Sequence, residues 1–172
     1  MRARAARIIV AAAIMVHPLA AGCGALEREP VTVPTVTAPA LTGPTLSPVA
    51  FRSRADAACM RLYARLGRVG TPPTDSIAAA RGYHRAVADV WHHLLGEVGG
   101  LTAPADLRGT WAEIIEAYRA TAQDADENAL LAETDREAIE VVNSDASARM
   151  QEAQAVMAAR AQGIGLSTCA GE

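Results

Sequence analysis

The side chains best suited to chemistry in this chain are its histidines and cysteines. His84, His92 and His93 lie close together, and His17 stands apart near the start. A carboxylate-bridged metal centre in a helical bundle needs a Glu-x-x-His pair from each of two helices and carboxylates from the others. Asp89-Val90-Trp91-His92 has the spacing with an aspartate, and no second copy follows, so no metal site is expected. Arg85, Asp89, His93 and Glu97 step by four, which reads as an exposed ladder of ion pairs, each worth about 0.3 to 0.5 kcal/mol. His84 falls on an apolar stripe, where a hydrogen-bonded core or boundary histidine is the ordinary reading. Haem ligation is the sharper one, but no Cys-x-x-Cys-His is present to attach a haem, and no cofactor is expected.

Nucleophilic catalysis has less support. There is no Gly-x-Ser-x-Gly and no lysine at all, which removes Schiff-base chemistry and P-loop phosphate binding. Glu113, Glu116, Asp124 and Glu127 are spaced as a solvated helix face, so no catalytic residue is assigned. Charge is divided unevenly along the chain: residues 51–98 carry seven Arg against four acids, and residues 101–172 carry five Arg against thirteen acids. That balance disfavours nucleic acid as a partner. Arg54, Arg61, Arg65 and Arg68 form a strip beside the apolar stripe of the first helix. Solvated surface is the plain reading, and a contact with an anionic envelope component or an acidic protein is the sharper one.

The opening MRARAARIIVAAAIMVHPLAAGC carries three arginines, an apolar run from Ile8 to Val16, and small residues up to Cys23. A signal peptide over residues 1–22 fits this order. The apolar run is shorter than the roughly 20 residues of a membrane span, which makes a retained transmembrane segment the weaker alternative. Ala20-Ala21-Gly22-Cys23 resembles the bacterial lipobox, with Ala20 where leucine is preferred and Leu19 one place earlier. The resemblance implies a diacylglyceryl thioether on Cys23, cleavage before it and acylation of the new N-terminus. More than one acyl chain gives stable anchoring, here to the outer face of the cell membrane. Plain secretion with a nearby cut is the other reading. Gly24 follows the cysteine, so the aspartate that marks inner-membrane retention in Gram-negative bacteria is missing.

Residues 23–50 then read as a lipidated start and a linker, with prolines at 30, 34, 39, 44 and 48 among threonines. Such a stretch excludes regular helix and predicts a disordered, polyproline-like tether reaching on the order of 80 Å at about 3.1 Å per residue. Thr32, Thr35, Thr37, Thr42 and Thr45 are candidate O-glycosylation sites by composition. Residues 51–172 form the domain. Ser53 with Asp56 predicts an N-terminus, and Ala55, Cys59, Leu62, Leu66 and Val69 make the first apolar stripe. The second helix opens at Thr74-Asp75 and aligns Ile77, Ala80, His84, Val87, Trp91, Leu94 and Val98. A third opens at Thr102-Ala103-Pro104 with Leu107, Trp111, Ile114, Tyr118 and Ala125 inward. A capping box at Thr134 to Glu137 starts a fourth that runs to about Gln162, with breaks near 124–128 or at Asn143-Ser144 as competitors, and Gly163 marks its C-terminus. The fold expected is all-α: an antiparallel four-helix bundle. In an exported chain with Cys23 acylated, Cys59 and Cys169 pair most simply with each other, free or intermolecular thiols being the alternative.

Three segments, RADAACMRLYARL, LTAPADLRGTW and ARAQGIGLSTCA, together resemble a group of small alanine-rich actinobacterial secreted proteins and lipoproteins without an assigned activity. The match runs through Ala55 to Cys59, Leu101 to Pro104 and Gly165 to Cys169, with Ala103 where the group carries a first proline. It implies the helical bundle and the disulfide, and no reaction. The expected function is therefore a non-enzymatic, membrane-anchored envelope lipoprotein that binds a protein partner or an envelope component. The alternative is a carrier of a small apolar ligand or lipid between its helices.

Overall fold

The computed structural model describes residues 32–133 and 139–171. Cys23, the signal peptide and the capping box at Thr134 to Glu137 lie outside them. The regular elements among the described residues are all helices: α1 (Pro48–Val69), α2 (Ile77–Val98), α3 (Arg108–Leu131), a 3-10 turn (Glu140–Asn143) and α4 (Asp145–Gly163). As expected, this is a four-helix bundle closed by the Cys59–Cys169 bridge, whose Cα atoms are 5.2 Å apart. No described helix is long and apolar enough to cross a membrane.

Serine sets three of the four starts. Ser47, Ser76 and Ser144 each accept from the backbone N–H three residues on, which satisfies a donor left over in the first turn. α1 therefore begins before the expected Ser53, with Pro48 in its first turn, where proline's fixed φ and missing N–H cost nothing. α2 likewise starts at Ser76, not at Thr74-Asp75, and α3 starts at Arg108 after a turn in which Leu107 donates to the Pro104 carbonyl at 3.0 Å. α4 starts at the Asn143-Ser144 break, later than Thr134. At its other end Leu166 donates to Ala161 and Gly165 to Gln162, with Gly165 at φ +75. This is a Schellman closure, so the turning glycine is Gly165, two residues past Gly163.

Successive helices pack in order, α1 on α2, α2 on α3 and α3 on α4. The core is built round Trp111, Tyr118 and Phe51, all fully buried. Phe51 and Trp111 meet edge to face at 5.0 Å, an arrangement worth about 0.5 to 1.5 kcal/mol beyond burial, and the Trp111 indole N–H donates to the Leu101 carbonyl at 3.0 Å. The tail returns to α1 as expected: Asp56 accepts from the Thr168 and Cys169 N–H groups at 3.1 and 3.4 Å, and Arg52 donates to the Ile164 carbonyl at 2.9 Å.

Residues 32–47 differ from the expected free tether. They lack helix, as their prolines require, but they lie as a strap along the bundle, with Val36 buried and Ala38, Leu41 and Leu46 packed against the core. Near α1 the strap is fixed by the Leu46 N–H donating to Thr102 at 3.1 Å and by the Thr102 hydroxyl donating to the Gly43 carbonyl at 2.6 Å. A Cβ on Gly43 would stand 2.2 Å from the Gly100 carbonyl oxygen, so glycine is what lets the two segments touch.

Candidate functional site

α4 contributes little to the core; its buried residues are Ala146, Met157 and Ala161. Because it packs on α3 and not on α1, a cleft stays open between the end of α1 and the first half of α4. Two adjoining cavities of 230 and 170 Å³ share Tyr83, Val87, Met150 and Gln154. The larger adds Leu66, Val69 and Trp91, and the smaller adds His84, Asn128 and Ser147. One end is thus apolar over an indole and the other is edged with polar groups.

That polar end is internally organised. The Ser144 hydroxyl donates to the Asn128 side-chain carbonyl at 2.6 Å, Asn128 donates to the Ser147 hydroxyl at 3.2 Å, and Ser147 donates to the Val141 carbonyl at 2.9 Å. Tyr83 stands edge-on to His84 at 5.2 Å, and burial raises the Tyr83 pKa. No carboxylate or cysteine lines either cavity, and Ser147 is already committed to a carbonyl. Proton transfer by paired acids has no seat here, whereas an apolar group with one polar end does.

The arginine strip is divided in space. Arg61 and Arg65 converge on Glu97 of α2 at 2.8 and 3.5 Å, joined by His93 at 3.0 Å. Arg54 and Arg68 are exposed and make no ion pair among the described residues. Of the expected ladder only His93–Glu97 forms along the helix; Arg85 pairs instead with Glu133, at the end of α3.

Of the acids on the face of α3 expected to be solvated, Glu113 and Glu116 are exposed and Asp124 is buried, and α4 supplies arginines to three of the four. Arg149 reaches Asp124 at 2.8 Å and Glu127 at 2.6 Å, and Arg160 reaches Glu113 at 2.9 Å. Asp124 is buried, and its hydrogen bond raises the Arg149 pKa. The signal was available, since residues 149 and 160 are three helical turns apart and share a face. His92 pairs across to Asp126 at 2.9 Å, and no group of three or more metal-ligating side chains gathers among the described residues.

A contact that sequence reasoning missed lies about a quarter turn further round α3. Gln123 accepts from the Val36 N–H at 2.6 Å and donates to the Pro34 carbonyl at 3.0 Å, while Arg119 donates to the Val36 carbonyl at 3.2 Å. Arg119 is braced by Glu116, and their hydrogen bond lowers the Glu116 pKa and raises that of Arg119. The clue was Val33, Val36, Ala38 and Leu41 between threonines that all turn outward. No family model, curated protein or solved structure matches this chain.

Proposed function

We propose that the chain is a non-enzymatic envelope lipoprotein, anchored through Cys23, that works by binding a protein partner or an envelope component in the cleft between α1 and α4. The observation that carries the reading is the cleft itself: Leu66, Val69, Val87 and Met150 over Trp91, open to solvent and edged by His84 and Asn128. An open apolar recess of this kind takes the anchoring side chains of a partner. The lipobox resemblance supplies the address, and the alanine-rich actinobacterial resemblance agrees with it.

A second reading, a carrier for a small apolar ligand, is favoured by the continuity of the two cavities, which share four lining residues. Trp91 fluorescence separates the two. The Trp111→Phe variant leaves Trp91 as the reporter, and lipid extracted from the native envelope is titrated into it. A saturable blue shift supports the carrier. No shift, together with cross-links from a Gln154→Cys probe to one envelope protein, supports the partner module. No shift and no cross-link would remove the cleft as the working site.

A further inference from the structure

The contact between α3 and residues 34–36 has the form of a recognition site. One carboxamide, that of Gln123, pairs with the N–H of Val36 and the carbonyl of Pro34, as a neighbouring strand would pair with extended backbone. Arg119 adds the third bond, to the Val36 carbonyl, and two bonds of 2.9 and 2.6 Å to Glu116 fix its guanidinium in place. All three bonds to the strap go to main chain, so any extended segment can make them. Selectivity comes from the buried Val36 side chain and from Pro34, whose ring holds the backbone extended. Thr35 and Thr37 face solvent and are not read. Pro34 also borders a cavity of 310 Å³ between Arg85, Ala129, Leu130 and Glu133.

We propose that this face of α3 is a binding site for extended protein segments of the pattern Pro-x-Val, filled in cis by the chain's own residues 34–36 and open to a partner segment of that pattern when they lift. The strap's other attachment, Gly43 to Leu46 on Gly100 to Thr102, lies seven residues beyond Val36, so residues 34–36 can leave without disturbing the start of α1. The site is separate from the α1–α4 cleft and stands or falls without it. A tethered segment competes at an effective concentration on the order of millimolar, so the native strap excludes a free peptide and a weakened one does not.

The test uses the full chain and a fluorescein-labelled peptide of sequence VTVPTVTAPA, followed by anisotropy. Val36→Asp opens the strap by charge, and Val36→Pro opens it by removing the N–H that Gln123 accepts. The peptide should bind both variants about tenfold or more tightly than it binds the native chain. Adding Gln123→Ala to either variant should weaken binding by about tenfold. The proposal is overturned if neither opened chain binds the peptide while its helical circular dichroism is retained. It is equally overturned if binding ignores Gln123, or if the native chain binds as tightly as the opened ones.

Discussion

The hydroxyl of Tyr118 donates to the sulfur of Cys59 at 3.1 Å, so α3 touches the bridge that ties the tail to α1. Three parts of the chain far apart in sequence therefore meet in one core, which also holds Leu62 and Leu166. Closing a loop of separation 110 removes unfolded-state entropy worth about 4 to 5 kcal/mol on the chain-entropy model.

Replacing both bridge cysteines by alanine should lower stability by about 2 to 5 kcal/mol. Urea titration followed by circular dichroism measures it, and hydrogen exchange should rise first in residues 164–171. A change under about 0.5 kcal/mol would mean that the tail is held by Asp56 and Arg52 alone.

Tyr118 should also make the fold alkali-sensitive. Burial, with smaller contributions from nearby Tyr63 and Asp56, raises its pKa well above the ordinary tyrosine value. The unfolded chain releases that proton near pH 10 while the folded chain keeps it. The stabilisation is therefore complete below pH 10 and declines above it, by about 1.4 kcal/mol per pH unit. Tyr63 and Tyr83, both raised by burial, act in the same direction. Tyr118→Phe should flatten the slope between pH 10 and 11.5, and an unchanged slope would assign the effect to the other two.

Arg149 and Arg85 both bridge helices, but their loss should differ. Asp124 is buried beneath Arg149, so Arg149→Ala leaves a buried carboxylate without its charged partner, at a cost of about 1 to 3 kcal/mol. The pair of Arg85 with Glu133 is exposed, and Arg85→Ala should cost about 0 to 1 kcal/mol. Chemical denaturation of the two variants side by side decides it; equal losses would show that Asp124 finds water or another donor.

The first helix shows how much of this was legible in the sequence. Ala55, Cys59 and Leu62 are buried as their spacing implied, because an apolar stripe at steps of four and three has one way to hide. Its start lies earlier than Ser53 because Pro48, the last of the linker prolines, sits in a first turn behind the Ser47 cap, where proline favours a helix. The two candidate binding places were harder to foresee. The cleft depends on α4 leaning on α3 and away from α1, and the strap depends on side chains 83 to 89 residues away. Both are set by tertiary geometry that no local pattern encodes.

Within the arginine strip, a role in meeting an anionic envelope component should reside in Arg54 and Arg68. Arg61 and Arg65 already face Glu97, which neutralises part of their field. Arg54→Gln with Arg68→Gln should weaken adsorption of an unlipidated form to anionic vesicles and flatten its salt dependence, while stability stays within about 0.5 kcal/mol. Arg61→Gln with Arg65→Gln should do the reverse: a small loss of stability and little change in adsorption. If adsorption ignores both pairs, the strip is solvated surface.

The strap offers the sharpest structural test, because two glycines govern it from opposite sides. A Cβ on Gly43 would stand 2.2 Å from the Gly100 carbonyl oxygen, and one on Gly99 would stand 2.6 Å from the Cβ of Pro39. The first clash is with backbone, which must move; the second is with a ring on the strap itself, which can lift. Gly43→Ala should therefore break the bonds that Thr102 makes to Gly43 and Leu46, and cost about 1 to 3 kcal/mol as overpacking does. Gly99→Ala should displace the strap at Pro39 while leaving the Gly43 contact in place. Hydrogen exchange at the Leu46 and Val36 amides distinguishes them. Gly43→Ala should expose Leu46 first and Gly99→Ala should not, because the strap is held at two separate points. Simultaneous exposure of both amides in both variants would show that it docks and releases as one piece.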